Sequence, residues 1–519
     1  MHVRTAPGSG PPFVPAGAPE GAPDPCILVL FGATGDLARR KIVPALYELF
    51  RSGALPEPFA LVGFSRSART DEGLRARFRA GLEKHARTRP IEPIEPIEIE
   101  ARGWERFARR IHAVPGDVAD PASLRELGKR LESVDRGAGT GGNLLLYFAT
   151  PPSAFGVLLN ELREVGLLRP RPKHCAGPWL RLILEKPIGH DLGSARELNA
   201  LARQALQEHQ IYRIDHYLGK ETVQNILVLR FGNAIFEPLW NRNHVDHVQI
   251  TMAEAIGVEG RGSFYEETGV VRDVVQNHLL QVLALCTMEP PVDFGPYEIR
   301  NMKSQVLRSF RPLVAGEVAA HVVHGQYAGY RDEPGVHPGS RTPTYVALKT
   351  HIDNWRWQGV PFYLRAGKCL AARVTEVTFH FRSIPTCLFD EAACAAIPPN
   401  VLKIRIQPDE GISLRIASKV PGEGSGVDGV EMDFSYAETF DRQPPDAYER
   451  LLLDCMRGDQ TLFGRRDEVE LSWEFVDPVL AAWEAGGDLP LCSYTPGSQG
   501  PAQADSLLFR NGHRWQEIR

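Results

Sequence analysis

Residues 26–31 read Cys-Ile-Leu-Val-Leu-Phe, a short apolar run with no polar alternation that stops at a glycine. Such a run predicts a strand buried on both faces, as in a parallel sheet. Gly32, Ala33, Thr34, Gly35, Asp36 and Leu37 come next, followed by a helical pattern over 38–50. Strand, glycine-rich turn and helix in that order open a dinucleotide-binding fold. Gly32 makes the tight turn, and Gly35 lets a pyrophosphate reach backbone N–H groups near the helix start. The spacing is G-x-x-G-x-x-A, not G-x-G-x-x-G, so the flanking strand and helix give the motif its weight.

Further apolar runs at 59–64, 111–114, 143–149 and 180–184 supply more strands of the same kind. Ser65-Arg66-Ser67 follows the second. An acidic residue there would bind ribose hydroxyls, whereas Arg66 between two hydroxyls suits a ribose 2′-phosphate. NADP is therefore the expected cofactor, with NAD possible as a second coenzyme. The third strand ends at Gly116-Asp117-Val118, the fourth carries Tyr147, and the fifth closes on Glu185-Lys186-Pro187. Ends of parallel strands face the cofactor crevice. A lysine at that position can reach both cofactor and substrate, and the proline after it is a candidate for a cis bond. Beyond about Arg213 the texture changes. Alternating strands at 245–252, 345–352, 374–381 and 401–406 predict an antiparallel sheet with one face covered, with helices over 268–288 and 446–455. The expected fold class is an α/β Rossmann-like dinucleotide-binding domain over 26–213, followed by a larger α+β domain with a mainly antiparallel sheet over 214–519.

At that boundary lies Arg213-Ile214-Asp215-His216-Tyr217-Leu218-Gly219-Lys220-Glu221. Lys220 offers a mobile ammonium, Tyr217 a hydroxyl and His216 a ring nitrogen, all able to donate to phosphate oxygens. Gly219 permits close backbone approach, and a helix over 222–229 points its partly positive N-terminus back at the loop. Together these suggest a grip for a phosphorylated substrate; a solvated loop of mixed charge is the plainer reading. His278, in a helical pattern, shares a face with Val271, Val274, Val275 and Val282. A histidine so placed can be a core residue. A semi-buried neutral imidazole is also what a general base near pH 7 needs, and Asp215 is a candidate partner for its other nitrogen. A later strand runs into Arg365-Ala366-Gly367-Lys368, with Arg373 beyond, and reads as a second anion grip.

The formal net charge is −5, which does not suggest nucleic acid as a partner, and no apolar run reaches the length of a membrane span. The eight cysteines show no zinc-ligand spacing, so no metal is expected; they read as thiols of a reducing cytoplasm. Residues 1–25, rich in Pro, Gly and Ala, read as a disordered leader without the apolar segment of a signal peptide. The Ile-Glu-Pro repeat at 91–98 reads as an extended surface insertion with no chemistry.

The set of motifs resembles the glucose-6-phosphate dehydrogenase family. The likeness runs from about Ile27 to the C-terminus and rests on Gly32 to Leu37 with Lys41, Glu185-Lys186-Pro187, Arg213 to Glu221, Arg272 to His278, and Arg365 to Lys368. The R-I-D-H-Y-L-G-K-E segment is the most specific of them. The resemblance implies oxidation of glucose 6-phosphate at C1 to 6-phosphogluconolactone, with hydride passing to NADP. It implies His278 as the base and Asp215 as its support. His216, Tyr217 and Lys220 would hold the 6-phosphate with Lys186 nearby, and Glu254, Asp273, Lys368, Arg373 and Gln407 would complete the sugar site. Gly32 to Leu37, Arg66, Asp117, Val118, Tyr147 and Lys186 would line the cofactor. A homodimer or homotetramer is implied as well. Animal members carry a second, structural NADP site, and there the likeness departs. Val374 stands in place of a lysine and Gln499 in place of an arginine, although Arg405 and Trp515 persist.

Two other readings remain. A different two-domain sugar-phosphate oxidoreductase could use the E-K-P lysine catalytically, but the R-I-D-H-Y-L-G-K-E loop argues against it. An NADP-sensing regulator on a dehydrogenase scaffold would be expected to lose the base or the phosphate grip, and both are present.

Overall fold

In the computed structural model, residues 21–67, 70–85, 101–173, 177–388, 394, 397–422, 426–440, 445–486 and 489–519 are described. Most of the expected leader, and the Ile-Glu-Pro repeat, lie outside the described residues. The leader's last residues are tied down: Trp179 Nε1 donates to Asp24 (3.1 Å) and Asn143 Nδ2 to Pro25 O (2.8 Å).

The first sheet holds β1 (Cys26–Phe31), β2 (Phe59–Ser65), β3 (Ile111–Pro115), β4 (Leu144–Phe148), β5 (Leu180–Leu184) and β6 (Ile211–Ile214), all parallel, in the order 3-2-1-4-5-6. That is the doubly wound order whose crevice lies at the carboxyl ends of the strands. Every residue of β1 and β2 is buried, as an apolar run without alternation requires. The sheet is not confined to the first half of the chain, because a two-residue strand, Phe463–Gly464, returns to pair antiparallel with β6.

Among the described residues the second sheet has nine strands. Val245–Ala253, Tyr345–His351, Pro361–Gly367, Val374–Phe381 and Val401–Gln407 form much of it, and Gly411–Lys419 and Val427–Ser435 form one edge. Pairing is antiparallel except for Pro361–Gly367 against Val245–Ala253 and Leu491–Tyr494 against Val322–Tyr327. The expectation of one covered face fails for the central strands, which are buried on both sides. The C-terminal segment covers the second face: Gln249 Nε2 donates to Arg514 O (2.8 Å), and Gln516 N to Gln249 Oε1 (2.7 Å).

The helix expected over 268–288 is broken. Gly269 adopts φ 60°, ψ 176°, a conformation open to glycine, and ends the Gly262–Val270 helix. A π-helical stretch, Val271–Leu279, follows before the α-helix Leu280–Thr287. π segments are rare and cluster at functional sites. The cysteine expectation also needs correction, because Cys387 and Cys394 are joined as a disulfide.

Candidate active site

The site forms where strand ends of both sheets meet. Lys186 follows β5 and joins Pro187 through a cis bond; Asp215 follows β6. In the second sheet, Gly367 is in register with Ala253, and Val374 with Ala253 from the other side. That register puts Glu254, Lys368 and Arg373 at one edge. Thr375 is in register with Gln407, which brings the end of Val401–Gln407 to the same place.

Within this edge His278 Nδ1 lies 2.5 Å from Asp215 Oδ1, with the two side chains 5% and 8% exposed. Asp215 Oδ1 also accepts Tyr217 N (2.9 Å), and its Oδ2 is buried with no donor. Burial pushes the His278 imidazole below its ordinary value, and the Asp215 carboxylate works against that shift. Burial would raise Asp215, but the His278 ring beside it wins and holds the carboxyl below the usual range. The pair is therefore a neutral imidazole oriented by a carboxylate, with Nε2 left for other work. His216 and Tyr217 pack their rings at 4.4 Å from that of His278.

The cations surround this pair. Lys186 Nζ donates to Asp273 O (2.9 Å) and Oδ1 (3.2 Å). Lys368 Nζ pairs with Glu254. Lys220 Nζ donates to Gln407 Oε1 and lies 4.8 Å from the Tyr217 ring centre. Gln407 Nε2 in turn donates to Tyr217 Oη and Thr375 Oγ1 (both 3.0 Å), and Arg373 reaches Gln407 Oε1 (3.3 Å). Burial brings the Lys220 ammonium down to about 8, despite the opposing charge of Glu410. A half-buried ammonium whose side-chain hydrogen bond goes to a neutral amide is poised for an anion. The helix Glu221–Phe231 begins at Lys220 with no side-chain cap, so its N-terminal partial charge also faces this point.

The catalytic and sugar-site candidates are thus gathered together, but two sequence readings, of Gly219 and Arg365, change. Arg213, which opens the loop, is turned inward, 2% exposed, onto Glu208 (2.6 Å) and Asn199 (3.0 Å). A Cβ on Gly219 would stand 2.7 Å from Ala447 O and 2.9 Å from Leu451, so this glycine admits the Ala447–Arg457 helix rather than a ligand. Arg365 is 1% exposed and points away from Lys368; it donates to Thr251 (3.0 Å) and Gln516 O and lies over Trp515. Its place is as a clamp on the C-terminal segment, not an anion grip.

At the first sheet, Gly32 takes φ +77°, and a Cβ there would meet Ala149 O at 2.6 Å, so only glycine makes this turn. The Gly35 N–H is held by Gly32 O (2.8 Å), which closes the turn over Ala33 and Thr34, with Asp36 and Leu37 following at the helix start. Ser67 Oγ donates to Thr34 Oγ1 (3.0 Å) and ties the exposed Arg66 beside the turn. Asp117 closes its own turn onto Ala119 N (3.0 Å), with Val118 half-buried between. Tyr147 departs from expectation. It is fully buried and donates to Glu185 Oε1 (2.5 Å), so its side chain stands behind Lys186 rather than on the crevice wall.

Sequence reasoning passed over Tyr448, which also bonds Glu185 and stacks 6.3 Å from His216. No local pattern marks it, since it reaches the site only by long-range packing. At the animal-type second cofactor region, Gln499 holds Ile518 through both amide atoms (2.8 and 3.0 Å). Arg405 there pairs with Asp433 (2.8 Å).

Residues 29–225 match the family described as glucose-6-phosphate dehydrogenase, NAD binding domain, and residues 227–516 match its C-terminal domain. A protein named glucose-6-phosphate 1-dehydrogenase from Treponema pallidum is 44% identical over 508 residues, 96% of each chain. One of the same name from Aggregatibacter actinomycetemcomitans is 46% identical over 501 residues, 95% of this chain and 97% of that one. Among solved structures, a glucose-6-phosphate dehydrogenase in complex with its substrate glucose-6-phosphate superposes with a TM-score of 0.85. It is 34% identical and covers 95% of this chain and 99% of its own. Matches to both halves, at this identity and over nearly the whole length, leave one conclusion: the chain belongs to the glucose-6-phosphate dehydrogenase family.

Proposed function

We propose that this protein oxidises glucose 6-phosphate at C1 to 6-phosphogluconolactone with NADP, the first step of the oxidative pentose phosphate pathway. The observation that carries this reading is the buried His278–Asp215 pair, ringed by Lys186, Lys220 and Lys368. In this assignment His278 Nε2 takes the C1 hydroxyl proton. Asp215 fixes the ring through Nδ1 and stabilises the imidazolium once it forms. Lys220, Tyr217 and His216 hold the 6-phosphate. Lys220 then exchanges Gln407 for phosphate oxygens, a stronger, charge-assisted bond. Glu254, Asp273, Lys368, Arg373 and Gln407 orient the sugar. Grips on the remote phosphate convert binding energy into orientation at C1.

The glycine turn at Gly32, with Arg66 tied beside it through Ser67, fits a dinucleotide bearing a 2′-phosphate. NADP, when bound, supplies the hydride acceptor. Gly32 to Leu37, Arg66, Asp117, Val118 and Lys186 would hold it, with Tyr147 acting through Glu185. NAD is retained as a second coenzyme, because an exposed arginine can accept either. We assign 26–213 to the dinucleotide and 214–519 to substrate and to self-association. A homodimer or homotetramer is supported by the exposed edge strand Val427–Ser435, where Val430 and Met432 are 43% and 37% exposed. Sedimentation velocity at micromolar protein checks this; a monomer would refute it. A cytoplasmic location is supported by the buried free thiols Cys26, Cys286, Cys455 and Cys492; the Cys387–Cys394 bond does not support it. No helix among the described residues is long and apolar enough to cross a membrane.

Initial rates with glucose 6-phosphate, comparing NADP with NAD and using free glucose as control, test the proposal. Turnover should require the phosphate and favour NADP. Equal rates with NAD would remove Arg66 as the discriminator. No turnover with either would return the NADP-sensing regulator to the front.

A further inference from the structure

A second cavity lies at the opposite end of the parallel sheet from Lys186, where β5 and β6 begin. Its volume is about 860 Å³, far more than an inorganic anion needs and within the range of small-molecule sites. Arg171, Lys173, Arg181, Arg300, Arg457 and Arg465 line it. Three carboxylates share the lining, and two of them are engaged. Glu208 holds Arg213 (2.6 Å), and Asp293 accepts Gly295 N (2.7 Å); Glu298 sits in the first turn of the Pro296–Arg308 helix.

The arginines are not all satisfied. Arg300 is 6% exposed; its Nε donates to Pro296 O (2.8 Å) and its Nη2 to Gln460 Oε1 (3.1 Å), but Nη1 is buried without an acceptor. Gln460 cannot turn to help, since its Nε2 is held by Glu208 O and Ile211 O (3.1 and 2.9 Å). Arg171 Nε and Arg457 Nε are likewise buried without acceptors. A buried charged donor left unpaired is unfavourable, and natural proteins keep few of them. All three residues line this one cavity. The Pro296–Arg308 helix also begins at its wall, with Gly295 as an N-cap that offers no side-chain acceptor. Tyr297, 65% exposed, presents a ring at the mouth.

We propose that this cavity binds a multiply phosphorylated small molecule, with phosphate oxygens accepting from Arg171, Arg300 and Arg457. The site is separate from the one that holds glucose 6-phosphate. It is joined to it by two continuous elements. β5 runs from Arg181 at the cavity to Leu184, just before Glu185 and Lys186. The Ala447–Arg457 helix carries Tyr448 beside Glu185 and Arg457 at the cavity.

The test is calorimetric titration of tripolyphosphate into enzyme holding one equivalent of NADP per chain, so that the dinucleotide crevice is filled and no excess NADP competes for the cavity. Binding should be unchanged in Lys220→Ala, which removes the substrate's phosphate grip. It should weaken roughly tenfold or more in Arg171→Gln and in Arg457→Gln, each of which removes charged donors. Both residues are only partly buried, whereas Arg300 is 6% exposed and its replacement could disturb the fold. Unaltered affinity in the two arginine variants, loss of binding in Lys220→Ala, or no binding at millimolar tripolyphosphate would each overturn the proposal. Adenosine triphosphate and adenosine form the second arm. Tighter binding of the nucleotide than of tripolyphosphate assigns the base to Tyr297, and equal binding assigns a polyphosphate recognised by charge alone.

Discussion

His278 and Asp215 show how burial and a partner divide the control of one proton. Burial keeps the imidazole neutral at pH 7, and the carboxylate keeps it basic enough to act. Replacing His278 with Asn should lower kcat roughly 10²–10⁴-fold while leaving glucose 6-phosphate binding near that of the parent. Stopped-flow turnover with calorimetric binding checks both, and near-normal kcat would remove His278 as the base. Asp215→Asn removes the group that raises the His278 pKa. The acid limb of kcat/KM should therefore move to lower pH, even as the rate falls; a limb moving upward would contradict the pairing. Lys220→Ala should act differently, raising KM for glucose 6-phosphate by roughly 10–100-fold, the worth of a charged hydrogen bond or two.

At the scale of elements, the break at Gly269 decides where His278 stands. The sequence pattern predicts one continuous helix over 268–288, with His278 on a face with Val271, Val274, Val275 and Val282. Gly269 resets the chain instead, and a π-helical stretch then carries Asp273 toward Lys186 and His278 toward Asp215. The nearest neighbours of a Cβ on Gly269 would be at 3.4 Å, ordinary contact, so the penalty for any side chain is conformational. Gly269→Ala should destabilise the protein by about 1–3 kcal/mol and lower kcat more than it raises KM. Urea unfolding and steady-state kinetics test it, and an unchanged midpoint would mean that the backbone relaxes freely there. Gly219 makes the companion case, since it lets the Ala447–Arg457 helix press on the phosphate loop.

Across the whole molecule, several imidazoles are buried in the native state. Burial lowers His324 and His351 to about 4 and His380 to about 3. All three have folded values below the unfolded 6.5, so the unfolded chain takes up protons first as pH falls. Their contribution to stability is complete above 6.5 and is lost progressively as pH falls toward 3 to 4. Urea midpoints should therefore drop between pH 7 and pH 5; equal midpoints would show that these rings gain solvent or partners. His380 stacks with His247 at 4.1 Å, and His247 with His513 at 3.9 Å, beneath the C-terminal segment. That segment covers the second face of the large sheet through Gln249, Arg365 and Trp515.

The order of apolar runs was enough to reveal the parallel sheet, because strands buried on both faces leave no polar residue to blur the pattern. The glycine turn and the R-I-D-H-Y-L-G-K-E loop were legible for a similar reason: their chemistry is local, and the residues that perform it are adjacent in the chain. Position 213 illustrates the limit. The sequence assigns this arginine no role, and packing turns it inward onto Glu208. Arg365 and Lys368 lie three residues apart yet face different partners, since strand register rather than spacing assigns them. The cover over the second sheet, Tyr448 beside Glu185 and the arginine-lined cavity all depend on contacts between residues hundreds of positions apart. Local sequence carries no record of those contacts, so only the folded chain decides them.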